Sequence, residues 1–366
     1  MTRSPPLRIA ILWKQLSGYW IACFHALAAE GVAIHLVHRA THPDAPYSDT
    51  SLAAAFPGHW WDAEPDENRI GQEMAAFAPD ALLVASWDVG AYRRVARSLQ
   101  GRTLRILGMD NQWLGTPKQW GGTLISRMAI RPCYDVAFLP AERQAQFARR
   151  LGFGDDRILW GFYTCDYPAF AAAAEAAAGG GLVRRSAFVF AGRLSSEKGV
   201  DVLVEAYRRY RALRRDPWPL VVCGTGPLAA SLAGVEGIEA RGFVQPGDLP
   251  AVFAEAACLV LPSTFEPWGV VVHEAAAAGL AIICSTAVGA SSRFVVDGYN
   301  GVLVPPRDAA ALAAALDIVS DPGTPLATFG GRSSELARQF TPERWARYLV
   351  DQIVRRRAQW PGSRQP

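Results

Sequence analysis

Four side chains in the second half of the chain, together with a set of glycines, have the types and spacing to hold an anionic, polyhydroxylated ligand. Glu266 and Glu274 are separated by seven residues in the segment Pro262-Ser-Thr-Phe-Glu-Pro-Trp-Gly-Val-Val-Val-His-Glu274. Glu266 falls in a loop, and Glu274 more than a turn into the helix after it. Carboxylates accept hydrogen bonds from sugar and ribose hydroxyls, so this pair can grip both ends of a nucleotide sugar around its diphosphate. Between them run Pro267, Trp268, Gly269, Val270 and Val271. At a helix start the N–H groups of Gly269, Val270 and Val271 are free to meet an anion. The blander reading makes Glu266 a helix N-terminal acid and Glu274 a surface acid. Glu274, however, sits among Val272, His273, Ala275 and Ala276. That segment should be buried, where an unpaired carboxylate is costly, so the functional reading is favoured. His273 reads as packing.

Two further loops contribute. In Phe190-Ala-Gly-Arg-Leu-Ser-Ser-Glu-Lys-Gly199, Gly192 permits a turn after a strand, and Arg193 and Lys198 come before the next helix. Two cations beside a helix N-terminus suit a diphosphate. A solvated basic loop accounts for that segment, taken alone, equally well. In Cys223-Gly-Thr-Gly-Pro-Leu228, Gly224 and Gly226 open a turn directly after a strand, and with Ala229 they match GxGxxA. Dinucleotide binding is the rival reading of that match. It fits poorly, because the motif lies on the second strand of its half, and Glu239 lies inside the next strand rather than after it.

These residues must be positioned by an alternating framework. Short β-branched runs suggest strands near residues 7–12, 33–37, 81–84, 103–107, 135–139 and 158–160 in the first half, and 187–191, 220–223, 238–241, 258–261, 281–284 and 302–304 in the second. Amphipathic segments lie between most of them. Continuous apolar strands separated by helices imply parallel sheets covered on both faces. The expected fold class is α/β, two doubly wound Rossmann-like domains in series, with ligands at the carboxyl ends of the strands and the natural site in a cleft between the sheets. The Ala- and Gly-rich stretch near mid-chain reads as a connection. The expected organisation is therefore a first domain over 1–165, a linker over 166–183, a second domain over 184–341 and a closing helical segment over 342–366.

Composition excludes several classes. The chain has 366 residues, half of them hydrophobic and 19% charged, which excludes wholesale disorder. A formal net charge of +3 is too balanced for nucleic-acid binding driven by bulk charge. Six scattered cysteines lack zinc or redox spacing and read as buried thiols in a reducing compartment. The amino-terminal residues lack the pattern of a signal peptide, and the longest uncharged stretch is interrupted by Gly279, so a cytoplasmic protein is expected. Trp60, Trp61, Trp113 and Trp120 read as core packing ahead of sugar stacking. Arginines at 143, 149 and 150, and at 208, 209, 211, 214 and 215, read as solvated helix faces ahead of peripheral contact with the inner membrane face.

Together the segment Gly192–Gly199, the turn Gly224–Pro227, the strand end Arg241-Gly-Phe-Val244 and the Glu266…Glu274 spacing resemble the retaining glycosyltransferases of family four, with the GT-B fold. The likeness covers about residues 188–305. It implies a hexosyltransferase-like enzyme moving sugar from a UDP- or GDP-sugar to a hydroxyl of a glycan or lipid-linked acceptor, without a resident cofactor or nucleic-acid partner. It implies that Arg193 and Lys198 stabilise the departing diphosphate, that Glu274 holds the ribose and that Glu266 contacts the transferred sugar. The backbone over Pro267–Val271 then supports sugar and phosphate, and Phe243 and Val244 lie near the base. Gly18 approaches the diphosphate from the first domain, and the closing helix crosses back to that domain. Two departures stand out. The first loop reads Leu16-Ser-Gly18 where the family often has paired glycines. The stretch Leu107–Trp113 also lacks the family's histidine, leaving Asp110 or Asn111 in its place. No DxD triplet occurs, so no metal is expected. Relatives with epimerase or phosphorylase chemistry, and a non-catalytic nucleotide-sugar binder, are the alternatives.

Overall fold

The computed structural model describes residues 5–14, 16–39, 56–85, 87–179 and 186–359. Among them the chain forms two compact units. Residues up to Tyr163 and from Pro342 onward make the first, and Thr164–Thr341 make the second.

The first unit is built on seven parallel strands in the order β3-β2-β1-β4-β5-β6-β7. In chain order these are β1 (Arg8–Trp13), β2 (Ala33–Arg39), β3 (Gly58–Trp61), β4 (Ala81–Val84), β5 (Leu104–Gly108), β6 (Val136–Leu139) and β7 (Ile158–Trp160). The helices are α1 (Tyr19–Ala29), α2 (Glu67–Phe77), α3 (Gly90–Ser98), α4 (Pro117–Ala129) and α5 (Glu142–Arg150). Successive side chains of a strand point to opposite faces, so strands covered on both sides are largely apolar; Arg105 of β5 is the buried exception, paired with Asp135 at 2.7 Å. Ile9 and Ile11 of β1 enter one layer with Phe24, Phe138 and Phe162, while Ala10 and Leu12 enter the other with Met74, Tyr92 and Phe147. The edge strand β3 has no counterpart among the expected strands. Its residues alternate between exposed and buried, so it lacks the apolar run that marks the others.

The second unit carries six parallel strands in the order β10-β9-β8-β11-β12-β13. They are β8 (Phe188–Ala191), β9 (Leu220–Cys223), β10 (Ile238–Gly242), β11 (Cys258–Leu261), β12 (Ala281–Ser285) and β13 (Gly301–Val304). The helices are α6 (Tyr167–Gly179), α7 (Val200–Leu213), α8 (Leu249–Ala254), α9 (Val270–Ala277), α10 (Ser291–Phe294), α11 (Ala309–Val319) and α12 (Leu326–Ala337). The expected linker is corrected here, because most of residues 166–183 form α6. Alanine is the strongest helix former, and Phe170 anchors the helix, buried with its ring 5.4 Å from Phe253 of α8. Residues 180–185 lie outside the described residues. Helix α12 carries Gly330 and Gly331 within it. A Cβ on Gly330 would stand 2.3 Å from the Gly279 carbonyl oxygen, so the glycine permits close packing of this helix.

The last helix, α13 (Pro342–Ala358), returns to the first unit. Trp345, Ala346, Leu349 and Ile353 are buried in its core. Trp345 Nε1–H donates to the Phe162 carbonyl at 3.0 Å, and the Trp160 amide donates to Tyr348 Oη at 3.2 Å.

All six cysteines are buried, and none forms a disulfide among the described residues. The tryptophans depart from a uniform core assignment. Trp61 is buried and donates to Tyr92 Oη at 2.7 Å, but Trp60 and Trp120 are exposed. No helix among the described residues is long and apolar enough to cross a membrane.

Candidate active site

In the second unit β10, β9, β8 and β11 lie side by side, so the loops leaving their carboxyl ends are neighbours. Backbone hydrogen bonds fasten these loops together. The Gly192 amide donates to Cys223 at 2.9 Å, Leu194 to Thr225 at 2.8 Å, and Leu228 back to Leu194 at 2.9 Å. On the other flank the Gly224 amide donates to Gly242 at 2.6 Å, which brings Phe243 and Val244 beside the Gly224–Gly226 turn. Gly224 cannot carry a side chain, because its Cβ would stand 1.9 Å from the Gly192 carbonyl oxygen. The two glycines therefore serve loop-to-loop approach. The chain then enters a short 3-10 turn, Ala229–Leu232, rather than an α-helix. Without a helix N-terminus to receive a pyrophosphate at that turn, the dinucleotide reading falls.

The loop after β11 is tied to the loop after β8. Thr264 and Phe265 amides donate to the Glu197 carbonyl at 2.8 and 3.2 Å. The Glu266 and Trp268 carbonyls accept from Gly289 and Ala290 at 3.0 and 2.8 Å. This scaffold sets Lys198 Nζ against the Glu266 carboxylate in an ion pair, with Glu266 buried. Motif by motif the two residues have separate duties; the fold makes them partners across 68 positions. Arg193 is exposed on the same loop. The Glu197 carboxyl is held below its ordinary range, first by its own backbone amide and Ser195, then by the charges of Arg193 and Lys198.

Helix α9 begins at Gly269, whose φ of +91° is the left-handed region that glycine favours. A Cβ there would approach Glu266 Cγ to 3.0 Å. The cap has no side-chain hydrogen bond. The amides of Val270 and Val271, the first in the helix, have no intrahelical acceptor. Glu274 sits in the second turn. Burial, reinforced by the charge of Asp166, pushes its carboxyl up to about 7. Among the described residues it has neither ion pair nor side-chain hydrogen bond. Asp166 belongs to none of the motifs; it precedes α6 and is distant in sequence from all of them.

His273 packs as expected. It is buried, its ring stacked 4.2 Å from Phe294. Cys165 N–H donates to Nδ1 at 3.2 Å and Nε2–H donates to the Ala337 carbonyl at 3.2 Å. Burial lowers its pKa to about 4, so it is neutral near pH 7.

Gly18 and Asp110 belong to the first unit, at the carboxyl ends of β1 and β5. Gly18 precedes α1. Asp110 accepts from Tyr163 Oη at 3.1 Å and borders a cavity of about 380 Å³ with Trp87, Asp88 and Asn111. Lys14 Nζ pairs with Asp88 at 2.6 Å. Of the arginines considered for membrane contact, Arg149 pairs with Asp155, Arg209 with Glu205, Arg211 with Glu236, and Arg214 with Asp317 and Asp321. Among the described residues no group of three or more His, Cys, Asp or Glu is arranged to hold a metal ion.

The sequence profile of Glycosyl transferases group 1 matches residues 185–321, the segment that carries these loops. That segment lies within the second unit. An uncharacterized glycosyltransferase of Methanocaldococcus jannaschii is 32% identical over 143 residues, 37% of this chain and 36% of that protein. A D-inositol 3-phosphate glycosyltransferase of Stackebrandtia nassauensis is 29% identical over 331 residues, 83% of this chain and 60% of that protein. The chain thus matches about a third of the length of the first relative and three fifths of the second. Anabaena HepE, solved with UDP and glucose, superposes with a TM-score of 0.71 at 15% identity, covering 94% of this chain and 99% of that one. The two Rossmann-like units share the GT-B fold with that structure, and the matched segment falls on the sheet that carries Lys198, Glu266 and Glu274.

Proposed function

We propose that this chain transfers a sugar from a nucleotide-diphosphate donor, a UDP- or GDP-sugar, to a hydroxyl of a glycan or lipid-linked acceptor, with retention at the sugar carbon. The observation that carries the reading is Glu274, a carboxyl in a buried helix turn with no side-chain partner among the described residues, beside the uncapped start of α9. Ribose hydroxyls give it the hydrogen bonds the protein does not. The UDP and glucose bound to HepE are the same class of ligand.

As the sugar–phosphate bond breaks, negative charge grows on the diphosphate and positive charge on the sugar ring. Fixed positive potential at the diphosphate lowers that barrier. Lys198, Arg193 and the first amides of α9 supply it in this reading, so no divalent metal is required. Donor binding turns Lys198 toward phosphate and frees the Glu266 carboxylate for the sugar hydroxyls. The acceptor hydroxyl attacks from the leaving-group face and gives its proton to a donor phosphate oxygen. The first unit's cavity, with Asp110 and Asn111 on its wall, receives the acceptor.

A panel of UDP- and GDP-sugars tests the proposal. The right donor raises the melting midpoint, since a ligand that binds only the folded state stabilises it by RT ln(1 + [L]/Kd). The same donor is then hydrolysed or transferred with EDTA present. Stabilisation without turnover leaves a binding protein, and turnover that EDTA abolishes and magnesium restores ends the metal-free mechanism.

A further inference from the structure

Helix α4 is amphipathic the wrong way round for a protein in water. Its inner edge is polar: Ser126 is its buried residue, and Gln119 uses both side-chain atoms locally, donating to the Gln112 carbonyl and accepting from the Leu114 amide, each at 2.7 Å. Its outer face is apolar. At 3.6 residues per turn Trp120, Leu124, Ile125 and Met128 share the side opposite Ser126, and their exposures lie between 57% and 77%. Scattered exposed apolar side chains are ordinary, whereas four on one helical face make a contiguous patch.

The charges on the helix select what covers this patch. Lys118 and Arg127 lie on opposite flanks of the apolar ridge, and α4 has no acidic residue. Neither cation enters an ion pair among the described residues. Arg150 adds a third cation nearby, 4.5 Å over the Trp113 ring, which stands 5.2 Å from the Trp120 ring. A second copy docked through the same face would bring Lys118 and Arg127 of two chains together with no carboxylate on the helix to offset them. An anionic bilayer surface meets both features at once, phosphates taking the cations while Trp120, Leu124, Ile125 and Met128 enter the acyl boundary. At about 20 Å long, α4 lies in the plane of that surface and does not cross it.

We infer that α4 is a membrane-seating helix that attaches the first unit to an anionic lipid surface through its outward apolar ridge and flanking cations. The loop 109–116 joins it to the cavity at Asp110, so seating α4 brings the mouth of that cavity within a short loop of the lipid headgroups. This inference is independent of the reaction proposed for the second unit, and its test requires no turnover.

The full chain is sedimented with phosphatidylcholine vesicles, with and without phosphatidylglycerol. The wild type sediments with the anionic vesicles and is released by salt. Leu124→Glu with Met128→Glu lowers partitioning at least roughly tenfold. Lys118→Glu with Arg127→Glu lowers it on the anionic vesicles alone. All four side chains are exposed, so both variants keep the wild-type melting point, and calorimetry on the same samples checks that they do. A wild type that ignores anionic vesicles at low salt, or an apolar-ridge variant that binds as well as wild type, overturns the inference. So does a dimer in light scattering that the ridge variant dissolves, which assigns the face to a second copy.

Discussion

Replacing Glu274 by glutamine should stabilise the ligand-free chain at mildly alkaline pH while removing donor binding. The Glu274 carboxyl titrates at about 7 in the folded chain, against 4.5 for an ordinary glutamate. Between those values the folded chain keeps a proton that the unfolded chain has released, so stability falls as pH rises through that window. Above about pH 7 the deficit is complete. A displacement of roughly 2.5 pH units corresponds to about 3 kcal/mol. The side chain is partly solvent-accessible, which trims the expectation to about 1–3 kcal/mol. Glutamine has the same shape and cannot ionise. Calorimetry of ligand-free Glu274→Gln should therefore show the second unit melting several degrees higher than wild type near pH 8, since each kcal/mol moves such a unit by about 2–4 °C. The advantage should shrink toward pH 5. With the donor added, wild type should gain stability and the variant should not. A variant no more stable than wild type at pH 8, or equally advantaged at both pH values, would show that Glu274 carries no burial penalty there and would remove the central support of the proposed site.

The same geometry makes two further outcomes testable. Lys198→Ala should slow transfer by a factor on the order of 10²–10³, the size of losing one stabilising contact to the leaving group; a rate at the wild-type level in a donor-saturated assay removes Lys198 from the reaction. Trp345→Ala should destabilise the first unit by about 3–5 kcal/mol through lost packing, and by the loss of its hydrogen bond to Phe162. Urea unfolding should then show one early transition, with the second unit's transition unmoved.

The parts of this molecule written into the sequence are those where one residue type answers to one local requirement. Strands covered on both faces are mostly apolar, so most of them read directly from runs such as Ile9–Leu12 and Cys258–Leu261. Gly224 and Gly269 are equally legible, because backbone approach and a left-handed φ exclude other residues there. The features that escape depend on distant partners or on ambiguity. The edge strand β3 buries only alternate residues. Helix α6 resembles a linker in composition, and only Phe253 of α8 shows why Phe170 holds it down. The Lys198–Glu266 pair and the closeness of Asp166 to Glu274 join segments that nothing in local spacing connects.

The return of α13 also sets a timetable. Trp20, Phe138 and Phe162 of the first unit gather around Trp345, and a ribosome reaches that tryptophan only after making all of Thr164–Thr341. Throughout that interval the nascent amino-terminal half has an unsealed aromatic surface, open to chaperones or to its neighbours on the same polysome. The second unit, whose described residues all lie within Thr164–Thr341, can mature first, and the earliest-made half of the protein is the last to be completed.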